Sequence, residues 1–153
     1  MSIPSPTEGF YLGQVSWAGN SSELLVEQSS RFRDRREFFL EYLPIISLID
    51  GRCIGAEALT RWKRPGGVVW PADFIPLMEN TPFSGLLTYW VIDTVADELG
   101  DWLREHPDTQ ININVPPEII GRGGLMYSSE KSGLIELAPQ IVLEITERGL
   151  PDS

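Results

Sequence analysis

Between Phe83 and Glu105 the apolar residues Leu87, Trp90, Val91, Val95, Leu99, Trp102 and Leu103 recur with a helical period, opposite Asp93, Asp97, Glu98 and Asp101. That pattern predicts an amphipathic helix of about six turns. A strand follows almost at once: Gln110 to Val115 alternates Ile111, Ile113 and Val115 with Gln110, Asn112 and Asn114, until Pro116-Pro117 stops it. A long helix delivered straight into an alternating strand is the second half of a crossover, provided a strand precedes the helix.

Such a strand is present. Phe38 to Ile49 is dense in aromatic and β-branched residues, Asp50-Gly51 signals a tight turn, and Arg52 to Leu59 resumes the apolar run. We expect a hairpin there, a loop at Pro65-Gly66-Gly67, and a helix from Pro71-Ala72-Asp73 through Met78. A second helix-like stretch covers Ser128 to Leu137, and Ile141 to Thr146 reads as a further strand. Residues 1–20, rich in Ser, Pro and Gly, read as an irregular leader to a domain over 21–153, whose first element is a short amphipathic helix ending near Arg33. The order predicts an α/β fold of about four strands joined by crossover helices, the first strand antiparallel to the second.

Charge narrows the ligand classes. With 12 basic against 22 acidic residues, the net charge of −10 argues against a surface built to embrace DNA. An anion must be met locally, by a divalent cation held on carboxylates or by an arginine aimed at it. Cys53 and His106 are the sole cysteine and histidine, so an intrachain disulfide and a Cys/His zinc cluster are both excluded. No stretch reaches the roughly 18 apolar residues of a membrane span, and no basic segment leads into an apolar run. The expectation is a cytoplasmic protein without a membrane partner.

Three polar residues sit within otherwise apolar strands: Glu57 in Ala56-Glu57-Ala58, Asn114 in Ile113-Asn114-Val115, and Glu144 in Leu143-Glu144-Ile145. A carboxylate there is costly unless paired or coordinated. Two readings fit the pattern equally. The three converge at the carboxyl ends of parallel strands as hard oxygen ligands for Mg²⁺ or Mn²⁺, or Glu57 and Glu144 pair with Arg61 and Arg64 as structural ion pairs while Asn114 hydrogen-bonds a strand end.

The wording of the segments separates these readings. Glu57-Ala58-Leu59-Thr60-Arg61-Trp62, preceded by Tyr42-Leu43-Pro44-Ile45, resembles the signature of EAL domains, bacterial phosphodiesterases that linearise cyclic di-GMP. Pro71-Ala72-Asp73-Phe74-Ile75-Pro76-Leu77, Asn114-Val115-Pro116 and Leu143-Glu144-Ile145-Thr146-Glu147 resemble later motifs of that family, in the same order. The resemblance implies a TIM-type (β/α) barrel, Glu57, Asn114 and Glu144 as metal ligands, Arg61 on a phosphate of the substrate, and Glu147 positioning a loop at the rim. The implied reaction is metal-dependent hydrolysis of cyclic di-GMP to linear pGpG.

The chain departs from the family pattern in two places and in length. Leu43 stands where the family usually has glutamine, and Pro116 where serine is common. A complete barrel needs about 250 residues and eight strands, and the family's paired aspartates and lysine have no counterpart in these 153 residues. The expectation is therefore an incomplete barrel, the amino-terminal half of the domain, truncated and inactive as this short chain. Its open side would be covered by self-association or by another chain. A non-catalytic module that binds cyclic di-GMP or a protein is the alternative.

Overall fold

The computed structural model describes residues 37–145. The leader over 1–20, the helix expected from 21 to 33, and Glu147 with its neighbour Thr146 lie outside the described residues.

Strand β1, Phe38–Ile46, pairs antiparallel with β2, Cys53–Arg64, so the expected hairpin forms. Its connection is wider than the two-residue turn that Asp50-Gly51 suggests. Residues 47–52 form the loop, closed by Ser47 N–H donating to Arg52 O at 2.8 Å and Gly51 N–H to Ser47 O at 2.9 Å. Gly51 takes φ +71°, the left-handed value that explains the glycine. Strand β2 also runs past Leu59, and Pro65-Gly66 turns it into a short third strand, β3, Gly67–Val69, where the sequence suggested only a loop.

Helix α1, Pro71–Met78, falls where its start signal places it, and helix α2, Pro82–Glu105, where periodicity does. Each carries proline at its first turn, where the missing N–H costs nothing. The Thr81 hydroxyl caps α2 by accepting from Phe83 N–H at 3.2 Å. Strand β4 spans Gln110–Val115 and β5 spans Ile141–Ile145. The helix-like stretch between them is two pieces, helix α3, Gly124–Ser132, and a 3-10 segment, Leu134–Gln140. Gly133 divides them at φ +79°, a helix-ending conformation, and Pro139 keeps the second piece from becoming α-helical.

The long strands lie in the order β1-β2-β4-β5, with β2, β4 and β5 parallel and β1 antiparallel at the edge. This is a partial sheet of TIM-barrel type with its crossover helices on one face. On that outer face Leu40, Ala58, Ile111, Ile113 and Val115 pack under Val91, Ile92, Val95 and Leu103 of α2. A second cluster joins Phe38, Phe74, Met78, Phe83 and Leu87, with Trp62 stacked on Phe38 at 5.5 Å between ring centres. Strands β2 and β4 approach so closely that a Cβ on Gly55 would stand 2.3 Å from Gln110 O. Among the described residues no helix lies on the opposite, inner face, which presents the polar residues.

Candidate functional site

Alternation fixes which residues share the inner face. Ile111, Ile113 and Val115 must face the helices, so Asn112 and Asn114 turn the other way. Register then brings the neighbours alongside: Leu43 on β1 and Asn112 on β4 both oppose Glu57, and Asn114 opposes Glu144 on β5. Glu57, Asn112, Asn114 and Glu144 are all half-buried.

Their hydrogen bonds run diagonally from the central strand. Asn114 Nδ2 donates to Glu57 Oε1 at 2.7 Å, back across to β2. Asn112 Nδ2 donates to Glu144 Oε1, forward to β5. Each carboxylate therefore has one oxygen fixed by an amide. Asparagines two residues apart steady acids on two different strands, and all three expected metal-binding residues meet on one face.

The arginines are engaged elsewhere. Arg61 is buried, 8% exposed, and its Nε donates to Glu41 Oε2 at 2.7 Å. Arg64 lies 3.6 Å from Glu37 and over the Trp62 ring at 4.7 Å. Among the described contacts neither arginine pairs with Glu57 or Glu144, so the ion-pair arrangement that the strand pattern also allowed is not the one adopted. Nor does Asn114 serve a strand end, since its amide is on Glu57. Arg61 shares the face of Glu57, four residues along the same strand.

The donor set suits a hard cation. Carboxylate and amide oxygens are the ligands of Mg²⁺, Mn²⁺ and Ca²⁺, and half-burial leaves these side chains within reach of solvent. The set is partial: among the described residues no three His, Cys, Asp or Glu side chains gather tightly enough to hold a metal ion. Beside Asn114 a cavity of about 240 Å³ opens beneath α1, walled by Thr60, Ala72, Ile75, Thr88, Val91 and Pro116. Pro116, one of the departures from the family pattern, lines this cavity, and Leu43, the other, lies directly beside Glu57.

Three neighbours of the expected residues were not singled out from sequence. Asn112 was legible, because its parity with Asn114 puts it on the same face. Glu41 becomes visible only once β1 is laid beside β2, and Trp70 only when the β2–β3 turn folds it over Arg61 at 4.8 Å. Among the described residues the other tryptophans and the histidine fill packing roles: Trp62 and Trp90 border the second cluster, and Trp102 stacks on His106 at the end of α2.

Comparison with known proteins gives the family and the fold. The family model described as EAL domain matches residues 26–153. Probable cyclic di-GMP phosphodiesterase PdeB of Escherichia coli K12 is 38% identical over 123 residues, covering 78% of this chain and 24% of that protein. The solved PaMucR phosphodiesterase, a cyclic di-GMP complex, superimposes with a TM-score of 0.68 at 30% identity over 81% of this chain and 52% of that one. The Bacillus subtilis YkuI protein, with an EAL domain and in complex with substrate cyclic di-GMP and calcium, shares the fold at a TM-score of 0.57 and 19% identity, over 84% and 32% of the two chains. This chain thus spans about a quarter of the length of the first of these relatives and about half of the second.

Proposed function

The chain belongs to the EAL domain family, and from that membership we propose that it supplies the Glu57, Asn114, Glu144 and Arg61 side of a site for metal-dependent hydrolysis of cyclic di-GMP. The observation that carries the reading is the gathering of two carboxylates and two amides on the face opposite α2, with both arginines bound elsewhere among the described contacts. A purely structural face would bury apolar residues or close its acids with cations.

The roles follow from residue chemistry. Glu57, Asn114 and Glu144 offer oxygen donors to Mg²⁺ or Mn²⁺, and the Asn114 and Asn112 amides hold the two carboxylates in orientation. When bound, the cation supplies positive charge that activates water and offsets charge building on the phosphate. Arg61 binds a phosphate oxygen of the dinucleotide through its planar donor fork. Glu147 would position a loop at the rim, the role its motif implies.

In this reading the polypeptide alone does not turn over substrate, because among the described residues two acids and an amide leave the cation short of protein ligands. Among the described residues the outer side of β5 is uncovered and its edge unpaired, which favours a second copy or another chain completing the sheet there. An exposed, unpaired Cys53 suits the reducing cytoplasm. A second reading, binding of cyclic di-GMP without cleavage, draws on Leu43, an apolar side chain set beside Glu57 where a polar one would help hold substrate.

Titration of Mn²⁺ into the chain tests the central claim. Glu57→Ala, Asn114→Ala and Glu144→Ala should each weaken binding by about tenfold or more with the fold intact; undiminished affinity in all three sinks it. Incubation with cyclic di-GMP and Mn²⁺ separates the two readings of activity. Cleavage by this polypeptide on its own would overturn the claim that it is short of ligands, and cleavage only once a carboxyl-terminal extension or partner is added would favour the enzyme over the binding module.

A further inference from the structure

Arg61 is a buried cation on a face otherwise furnished with acids, yet the acid it chooses is Glu41, on the edge strand β1. Register explains the choice. Phe39 opposes Arg61 and Glu41 opposes Leu59, so Glu41 stands diagonally across from Arg61 on the same face. The Nε hydrogen goes to Glu41 Oε2 at 2.7 Å, Nη1 donates to Thr60 O at 3.1 Å, and the guanidinium lies over the Trp70 ring at 4.8 Å from its centre. The group is therefore fixed along one edge and covered on one plane. Of its five N–H hydrogens, the two on Nη2 and the second on Nη1 have no partner among the described contacts. Those form the fork that engages two phosphate oxygens side by side.

We propose that Glu41 and Trp70 are positioning residues for Arg61, a clamp that holds its Nη fork ready for a phosphate oxygen. The proposal rests on the reading of Arg61 as the phosphate-binding residue. The two clamp members act differently. Glu41, with its side chain about half exposed, orients the guanidinium by accepting from Nε, which an uncharged amide oxygen does equally well. Trp70, itself 56% exposed, excludes water from one plane of the cation and limits its rotation. A phosphate then meets an arginine that has little freedom left to lose.

Substitution at Glu41 separates positioning from charge competition. In Mn²⁺ buffer, cyclic di-GMP should bind Glu41→Gln within about twofold of the wild-type chain, whereas Glu41→Ala and Trp70→Ala should bind about tenfold more weakly. Tighter binding by both Glu41→Gln and Glu41→Ala would mean that Glu41 merely competes with phosphate, and would overturn the proposal. Arg61→Ala is the control on the underlying reading: if it binds like wild type, or if the wild-type chain does not bind, that reading fails. The clamp is then judged by nuclear magnetic resonance without ligand. The Arg61 Nε–H signal should exchange slowly in wild type and Glu41→Gln and be lost to exchange in Glu41→Ala; an unchanged signal in Glu41→Ala overturns the clamp as well.

Discussion

Strands β4 and β5 lie side by side in parallel register, yet their outward residues have opposite fates. Ile113 and Val115 are 0% and 1% exposed, while their partners Leu143 and Ile145 on β5 are 47% and 58% exposed. Hydrophobicity does not account for this, since all four are aliphatic. The difference lies in what covers each strand: α2 lies across β4, and no described element lies across the outer end of β5. The other edge strand differs again, because Tyr42 of β1 packs against the core and donates to Glu98 of α2 at 2.7 Å. Position at the edge therefore does not by itself expose a strand, since Phe38 and Leu40 of edge strand β1 are buried; what decides is whether a helix lies over the residue.

The sharpest way to break this contrast is to truncate matched residues. Ile113→Ala should cost about 2–5 kcal/mol of unfolding free energy, the usual penalty for a buried aliphatic side chain. Leu143→Ala, with half its surface already wet, should cost under about 1 kcal/mol by the same denaturant measurement. Equal losses would mean that β5 is covered in solution, and a concentration-dependent midpoint would identify a second copy as the cover.

A smaller effect should show what holds β5 in place without a cover. Gln140, buried at its entrance, donates through Nε2 to the carbonyls of Leu103, His106 and Thr109, binding the end of α2 and the start of β4 to the start of β5. Gln140→Ala should lose about 1–3 kcal/mol, since it strips a donor from buried carbonyls. Faster amide hydrogen exchange should follow along β5 and spare β2. Uniform exchange across both strands would show that β5 is not separately anchored.

The smallest effect concerns β1. Burial above all, then the hydrogen bond to Glu98 and its negative charge, push the Tyr42 phenol far above its ordinary value. The native state therefore keeps this proton at pH values where the unfolded chain, with tyrosine near pKa 10, has released it. The sign follows: stability from this group is intact below about pH 10 and declines as pH rises beyond it. Tyr42→Phe should flatten that decline in denaturant midpoints between pH 9 and about 11. An unaltered slope would remove Tyr42 as its source.

Much of the fold was legible because period and punctuation are local. The helix of α2, the limits of β4 and the antiparallel start of the sheet follow from apolar spacing and from Pro82, Pro116 and Pro117. The break at Gly133 escaped notice because the apolar residues Leu134 and Leu137 continue a helix-like spacing past it, and β3 because three residues carry no period. At the site, Glu57, Asn114 and Glu144 stood out as polar residues in apolar strands, and the diagonal bonds of Asn112 and Asn114 could not, since they depend on which strands are neighbours.

The sequence by itself determined the element order, the parity that turns Glu57, Asn114 and Glu144 away from the helices, and the family, because alternation and motif are properties of consecutive residues. Tertiary structure alone decided the partners. Glu57 and Glu144 sit with amides and Arg61 with Glu41, a choice fixed by strand order and register, which bring together residues 20 to 57 positions apart. Coulomb attraction permits several pairings of these acids with these arginines; the distances imposed by the sheet leave one.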